Sequence, residues 1–198
     1  MIWQERLDTA LIEAREMAKA LPKYLDQDEL FWQMIIHTPE GDKLPKMTLG
    51  GLLERVQYLE MSREKLSDAD LETLQEVKQE IEGARRRYRD AYAKFLEREL
   101  SSHLHSWHWY LDDLLGGNGD ALERYPQEVW IRTRIELLVE EAGKVGANVP
   151  EDKIRAEDRR LREVWVEGEF IWPEWLKKFY PKDRYWWLYG KPTPPEDD

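Results

Sequence analysis

Three of the four histidines in the chain lie in one short segment, SSHLHSWHWYLDDL, which spans residues 101–114. His105, His108 and Asp112 stand at positions i, i+3 and i+7 of a predicted helix, so they share one side of it. Two imidazoles and a carboxylate are ligands that suit a divalent metal ion. The spacing therefore offers a candidate metal site, and no other cofactor is predicted.

Glu99 and His103, four residues apart, form a second candidate pair in the same region. On a helical wheel, these polar residues lie at the edge of, or outside, an apolar stripe formed by Leu100, Leu104, Trp107, Leu111 and Leu114. Metal sites in helical bundles draw ligands from several facing helices into the interior, and no other predicted helix carries a matching histidine. The pattern favours surface positions for the histidines, with a metal-binding protein or metal-dependent enzyme as the alternative.

Trp109 is a separate problem, because it points about 180° away from the apolar stripe of its helix. A large aromatic ring on that side needs a cover, which is either another segment of the chain or a partner. Residues 165–192 are dense in aromatic residues and are the best candidate for this cover. The candidate docking residues, on the chain itself or on a partner, are Trp109, Trp172, Trp175, Tyr185, Trp186 and Trp187.

The same C-terminal segment also contains basic residues, namely Lys177, Lys178, Lys182, Arg184 and Lys191. Aromatic rings interleaved with bases can stack single-stranded nucleic acid, which gives a third hypothesis for function. The chain as a whole carries a net charge of −11, which repels phosphate backbones. Nucleic acid is therefore not a favoured partner.

Composition limits the classes of protein further. The chain contains no cysteine, which excludes disulfides, thiolate catalysis and cysteine-based zinc sites. The N-terminus lacks the order of a signal peptide, and no apolar run approaches the ~20 residues that cross a bilayer. We therefore expect a cytoplasmic protein without membrane association. Abundant Glu, Lys and Arg, with few Asn, are typical of heat-adapted proteins.

Apolar spacing predicts helices along almost the whole chain. The predicted helices at the N-terminus cover residues 3–20, ending at Pro22, and residues 28–36; residues 37–47, which contain proline and glycine, are predicted to be a loop. Thr48 is a predicted helix cap, and the SDAD sequence that begins at Ser67 resembles a capping box.

From residue 68 to about 115 the pattern is that of one long helix. Leu74, Val77, Ile81, Ala84, Tyr88, Ala91 and Phe95 form a heptad seam. An unbroken helix of this span would be ~70 Å long, which is long for a domain of this size. Either the helix kinks, near Gly83 or Ser101–Ser102, or it projects as a hairpin with residues 48–66.

The remaining sequence predicts a turn at residues 116–119, one helix after Pro126 and a polar helix after Pro150. The predicted fold is all-α: an irregular helical bundle with a long central helix (68–115) forming a hairpin with 48–66, plus an aromatic-rich C-terminal arm. The predicted divisions are a bundle over 1–164, the arm over 165–189, and a disordered acidic tail over 190–198.

No nucleophile motif, glycine-rich nucleotide fingerprint or other catalytic signature occurs in the chain. The favoured hypothesis is therefore a non-catalytic helical protein that acts through protein–protein interaction or self-association. It is motivated by the heptad seam and by an aromatic content larger than a small bundle readily buries.

Overall fold

The structure is a computed structural model that describes residues 1–117 and 119–193. It confirms the all-α prediction, because the strands among the described residues form only two-stranded ribbons. The chain divides into two compact units, Met1–Glu99 with Leu137–Asn148, and Leu100–Glu136 with Val149 onward. The predicted boundary between bundle and arm, at residues 164 and 165, falls inside the second unit.

Helices that bury one apolar face each build the first unit. They are α1 (Leu7–Leu25), α2 (Leu49–Met61), α3 (Asp68–Arg87), the first part of α4 (Arg89–Leu115) and the last part of α5 (Gly119–Val145). The buried residues of α1, such as Leu11 and Leu21, pack against α2 and α3. Pro22 lies inside α1 rather than at its end, and the buried Tyr24 and Leu25 hold the last turn in place.

The predicted long helix is divided at Tyr88, between α3 and α4, and not at Gly83 or Ser101–Ser102. Tyr88 leaves the helical conformation, with φ −119° and ψ 34°. Its N–H still donates to Ala84 and its carbonyl still accepts from Tyr92, so hydrogen bonding continues through the break. Most of the heptad seam is buried inside the first unit, where α3 packs on α1 and α2, but Tyr88 and Ala91 are only half-buried.

Residues 28–36 do not form the predicted helix, and residues 37–47 are not an irregular loop. They form an antiparallel hairpin ribbon (residues 32–47) whose strands are β1 (Trp32–Gln33), β2 (Ile36–Thr38), β3 (Gly41–Lys43) and β4 (Lys46–Met47). The turn between β2 and β3 ends at Gly41, whose φ of +107° favours glycine. From residue 31 to residue 38, exposed residues alternate with less exposed ones, which gives the period of two that a strand requires.

The second unit combines the rest of α4 and α5 with α6 (Glu151–Glu163) and the C-terminal arm. The arm consists of β5 (Trp165–Phe170), two short 3₁₀ helices (Glu174–Phe179 and Trp186–Leu188) and β6 (Tyr189–Pro192). Strands β5 and β6 pair antiparallel. Thr193, which follows β6, donates to the Val164 carbonyl. The prediction of disorder from residue 190 is therefore wrong for 190–193, and its remainder, 194–198, lies outside the described residues.

The pairing of β5 with β6 depends on Gly190, and replacing Gly190 by alanine is expected to destabilise the arm. Gly190 has φ +149°, and an added Cβ would lie 2.2 Å from the carbonyl oxygen of Val166. We expect a loss of at least about 2 kcal/mol, since both the backbone strain and the clash must be relieved. Urea denaturation measures this change.

The matched control is Gly83→Ala in α3, where an added Cβ meets nothing within 4 Å. Because alanine is the better helix former, this substitution should stabilise the chain by roughly 0.5–1 kcal/mol. Equal effects of the two alanine substitutions would contradict the role assigned to Gly190.

Candidate functional site

The predicted metal ligands His108 and Asp112 lie beside α6, which contributes Glu157 and Arg160. The Nδ1 atom of His108 lies 2.8 Å from a carboxylate oxygen of Glu157 and 2.9 Å from Arg160 Nη1. Arg160 also donates to Asp112 and to Glu157. The guanidinium of Arg160 thus supplies the positive charge that a metal ion would bring to these carboxylates.

The other residues of the predicted cluster have different surroundings. The ring of His105 lies against Trp109, with 5.5 Å between ring centroids, and His103 meets Trp130 edge-on at 6.0 Å. Glu99 is buried in the first unit and accepts a hydrogen bond from the Gly50 N–H at 3.0 Å. Within residues 1–117 and 119–193, no three His, Asp or Glu side chains are grouped so that they could hold a metal ion.

Most of the predicted aromatic docking residues pack within the second unit. The Trp172 indole N–H donates to the Pro126 carbonyl at 2.9 Å, and Tyr185 is buried. Guanidinium groups cover two neighbouring indoles: Arg162 lies 3.7 Å from the ring centroid of Trp186, and Arg132 lies 3.8 Å from that of Trp187. These rings therefore pack against α5 and α6 within the second unit.

Two of the predicted docking residues remain at the surface. Trp109 is 63% exposed, so the arm does not cover it as expected, and Trp175 is 40% exposed. Three of the five bases in this segment are paired with carboxylates: Lys177 with Glu174, Lys182 with Glu167 and Arg184 with Glu136. These ion pairs reduce the charge available to a nucleic-acid backbone.

A cleft in the first unit has a volume of about 590 Å³ and lies between α2, α3 and α5. Each helix lines it with one face over two turns or more. The lining residues are Leu53, Val56, Gln57 and Glu60 from α2; Gln75, Lys78, Gln79, Ile81, Glu82, Arg85 and Arg86 from α3; and Leu137, Glu140, Glu141 and Lys144 from α5.

Apolar side chains form part of this lining, and charged side chains surround them. Leu53 and Ile81 are buried, whereas Val56 and Leu137 are only half-buried. A half-buried apolar side chain in a cleft keeps part of its contact area available for a ligand.

The charged groups of the cleft are paired with one another. Arg85 donates to both carboxylate oxygens of Glu141, at 2.5 and 2.8 Å. Tyr92 donates to the same carboxylate at 2.7 Å, and Lys144 does so at 3.1 Å. The four basic and four acidic lining residues sum to zero formal charge, so the cleft does not select a strongly charged ligand.

These contacts also fix the protonation of the groups at the cleft wall. Burial acts to raise the pKa of Glu141, but hydrogen bonds from Arg85 and Tyr92 lower it below its usual value. Burial, followed by the neighbouring Glu141 carboxylate, raises the pKa of Tyr92 well above its usual value. At neutral pH the carboxylate is therefore ionised and the phenol protonated, so the pair provides structure and not proton transfer.

No family model, curated protein or solved structure matches this chain. The function must therefore be inferred from the geometry of the chain itself. The described helices include none with the length and apolar composition needed to cross a membrane.

Sequence reasoning missed this cleft, because it depends on pairing helices that are distant in the chain. Arg85 and Glu141, which tie α3 to α5, are 56 residues apart. One local signal was present in the sequence: Ile135 and Leu138 belong to one apolar stripe of α5, and Leu137 lies off that stripe. An apolar residue off the stripe indicates a second apolar face, and that face lines the cleft.

Proposed function

We propose that this protein is a non-catalytic binding protein whose partner inserts an amphipathic helix into the cleft between α2, α3 and α5. The single observation that carries the proposal is that one face of each of three helices lines the cleft. A fourth helix would complete the packing, which is the helix-in-groove mode of recognition. We expect the cytoplasm as its compartment, on the sequence grounds given above.

The cleft also indicates the length and character of the guest helix. Its α3 wall runs from Gln75 to Arg86, which corresponds to ~16 Å or about three helical turns. The guest should therefore present apolar residues at positions i, i+3 or i+4, and i+7. The glutamines and paired charges at the rim suit a guest with polar flanks of both signs.

A small molecule is the less favoured occupant. The cleft volume falls within the range of about 300–1,000 Å³ that is usual for small ligands. Such sites, however, use a few polar groups that converge on the ligand to fix its orientation. Here Arg85, Glu141 and Lys144 converge on one another instead.

Selection from a displayed library of random peptides tests the proposal directly. We expect enriched peptides to share the helical apolar spacing and to gain helicity on binding, as measured by circular dichroism. Leu137→Arg should weaken their binding by at least about tenfold, because it places an unpaired charge against the apolar guest. Glu80→Arg, an exposed change on α3 outside the cleft, is the control and should leave binding unchanged.

Two results would count against the cleft as the docking site. One is enrichment of peptides without helical spacing; the other is equal binding to wild type and Leu137→Arg. Because Leu137 is only half-buried, the variant should fold, and its thermal unfolding is measured alongside to establish this.

A further inference from the structure

The hairpin ribbon keeps one register along its whole length, so the residues of its outer face can be assigned to rows. Trp32 pairs with Met47 and Gln33 with Lys46 in one part of the ribbon; Ile36 pairs with Lys43 and His37 with Asp42 in the other. The Met34 N–H donates to the Pro45 carbonyl at 3.0 Å between the two parts. The outer face therefore carries three successive cross-strand rows: Gln33 with Lys46, Ile35 with Leu44, and His37 with Asp42.

The two faces of this ribbon differ sharply in burial. The inner face contributes Ile36 and Met47 to the core, and β2 packs against α1. On the outer face, Ile35 is 66% exposed and Leu44 is 63% exposed, while Phe31 at the end of the same face is 38% exposed. A solvent-facing ribbon is expected to be polar on its outer side, as the flanking rows are, so the Ile35–Leu44 row is the exception.

Ribbon stability alone does not account for the exception. A favourable cross-strand pair contributes only about 0.2–1 kcal/mol, and polar β-formers such as threonine pair nearly as well. Together with Phe31, the two adjacent aliphatic side chains form a contiguous exposed apolar patch, which is a feature of surfaces that bind other proteins.

We propose that the outer face of the hairpin ribbon binds the same face of a second copy of this chain. The two-fold axis runs along the Ile35–Leu44 row, across the strands, so that the apolar rows of the two copies stack on each other. The basic row of each copy then lies opposite the acidic row of the other, which places Lys46 of each copy over Asp42 of the other. This self-association uses a different surface from the cleft and does not rest on the function proposed for the cleft.

Charge complementarity is the observation that selects a second copy as the occupant. Two chains that each carry a net charge of −11 repel each other at long range, so a self-contact needs local attraction. The ribbon supplies it, because its one basic row and its one acidic row are placed symmetrically about the apolar row. Each two-fold contact therefore creates two Lys46–Asp42 pairs, with Gln33 facing His37.

The size of the face sets the strength of the interaction. Three rows and Phe31 make a contact below the ~1,200 Å² of total buried surface that stable protein interfaces usually reach. The dimer is therefore expected to be weak and reversible, and its population should rise with protein concentration. This property makes sedimentation velocity of the full chain, from micromolar to near-millimolar concentration, the appropriate measurement.

A charge-swap pair provides the decisive experiment. Lys46→Asp and Asp42→Lys should each weaken self-association by at least about tenfold, because each variant places two like-charged pairs in its own dimer. An equimolar mixture of the two variants should recover association, because both contacts in the mixed dimer then join opposite charges. Lys46 and Asp42 lie four residues apart on one edge of the ribbon, so this recovery cannot arise within one chain.

The apolar row has its own variant and control. Ile35→Ser should weaken association by a similar factor, whereas Val166→Ser, an exposed change on strand β5, should not. A wild-type chain that stays monomeric at every concentration would overturn the proposal. So would two single variants that associate as well as wild type, or a mixture that associates no better than either variant alone. Leu137→Arg should leave association unchanged, which separates this proposal from that for the cleft.

Discussion

Replacement of Arg85 by leucine is expected to lower the free energy of unfolding by about 3–5 kcal/mol, which is typical when a buried ion pair loses one partner. The remaining carboxylate, Glu141, is only 2% exposed. Arg85 supplies two of its hydrogen bonds, and Tyr92 and Lys144 supply one each. Urea denaturation at neutral pH, followed by circular dichroism, measures the loss.

The loss should depend on pH, with a definite sign. In the wild type the pKa of Glu141 is lowered below its unfolded value of 4.5, so its stabilisation is present above that pH and is lost as the pH falls. In Arg85→Leu the buried carboxylate loses the guanidinium and keeps only Lys144 and Tyr92 as donors, so its folded pKa should rise. The variant then gains stability relative to wild type on acidification, and the difference should be smaller at about pH 4 than at pH 7.

Two further variants distinguish loss of the ion pair from a general effect of removing charge. Arg86→Leu changes the next residue, whose side chain is mostly exposed, and should alter stability by less than about 0.5 kcal/mol. The double variant Arg85→Leu with Glu141→Leu should recover part of the loss, because it leaves no unpaired buried charge. The unpaired Glu141 carboxylate would not be the cause of the lost stability if two results were found together. The double variant would be no more stable than Arg85→Leu, and the loss in free energy of unfolding of Arg85→Leu would not change with pH.

Replacement of Trp187 by alanine should lower the stability of the second unit by about 3–5 kcal/mol, as is usual for a fully buried aromatic residue. The Trp187 side chain is 1% exposed and its N–H donates to Thr133 at 3.1 Å. Arg132 stacks on the ring, and the Tyr125 hydroxyl donates to the Trp187 carbonyl at 2.7 Å. Alanine removes the ring contacts and leaves a cavity.

Trp109→Ala is the matched control, because the same chemical change is made at a ring that is mostly exposed. We expect a change within about 0.5 kcal/mol. If Trp187→Ala yields too little folded protein, Trp187→Phe should give a smaller but measurable loss, since it retains most of the ring volume. Equal losses in free energy of unfolding at positions 187 and 109 would contradict the conclusion that the arm packs against α5 and α6.

Features of the fold that depend on neighbouring residues could be predicted from the sequence. Thr48 caps α2 by accepting from the Gly51 N–H at 2.9 Å, and Ser67 forms the predicted capping box with Asp70. The apolar stripes predicted that α1 and α5 are helices, because a helix that buries one face requires that spacing. Their bounds were predicted wrongly: α1 continues past Pro22, and α5 begins at Gly119, before Pro126.

The hairpin ribbon could not be recognised from its sequence, for a physical reason. A half-buried strand is detected by its alternation of apolar and polar residues. In residues 31–36 the exposed positions include Phe31 and Ile35, which are as apolar as the buried Ile36. The residues proposed to mediate self-association are thus the ones that hide the alternation and favour a helix prediction.

The proposed cleft and the ion-pair network of α4 and α6 were also beyond sequence reasoning. His108 and Asp112 are close in sequence, but the groups that decide their chemistry, Glu157 and Arg160, lie almost fifty residues away. Side-chain types alone suggested a metal ion where the fold provides a guanidinium.

The first unit is built from two separate stretches of the chain, and this affects how it folds during synthesis. Residues 1–99 emerge from the ribosome well before Leu137–Asn148, the last pieces of the same unit. The Arg85–Glu141 ion pair therefore cannot form until Glu141 has been synthesised. Until then the growing chain exposes apolar helix faces, which chaperones and proteases recognise. Expression of residues 1–99 alone is accordingly expected to yield a fragment that proteases degrade readily.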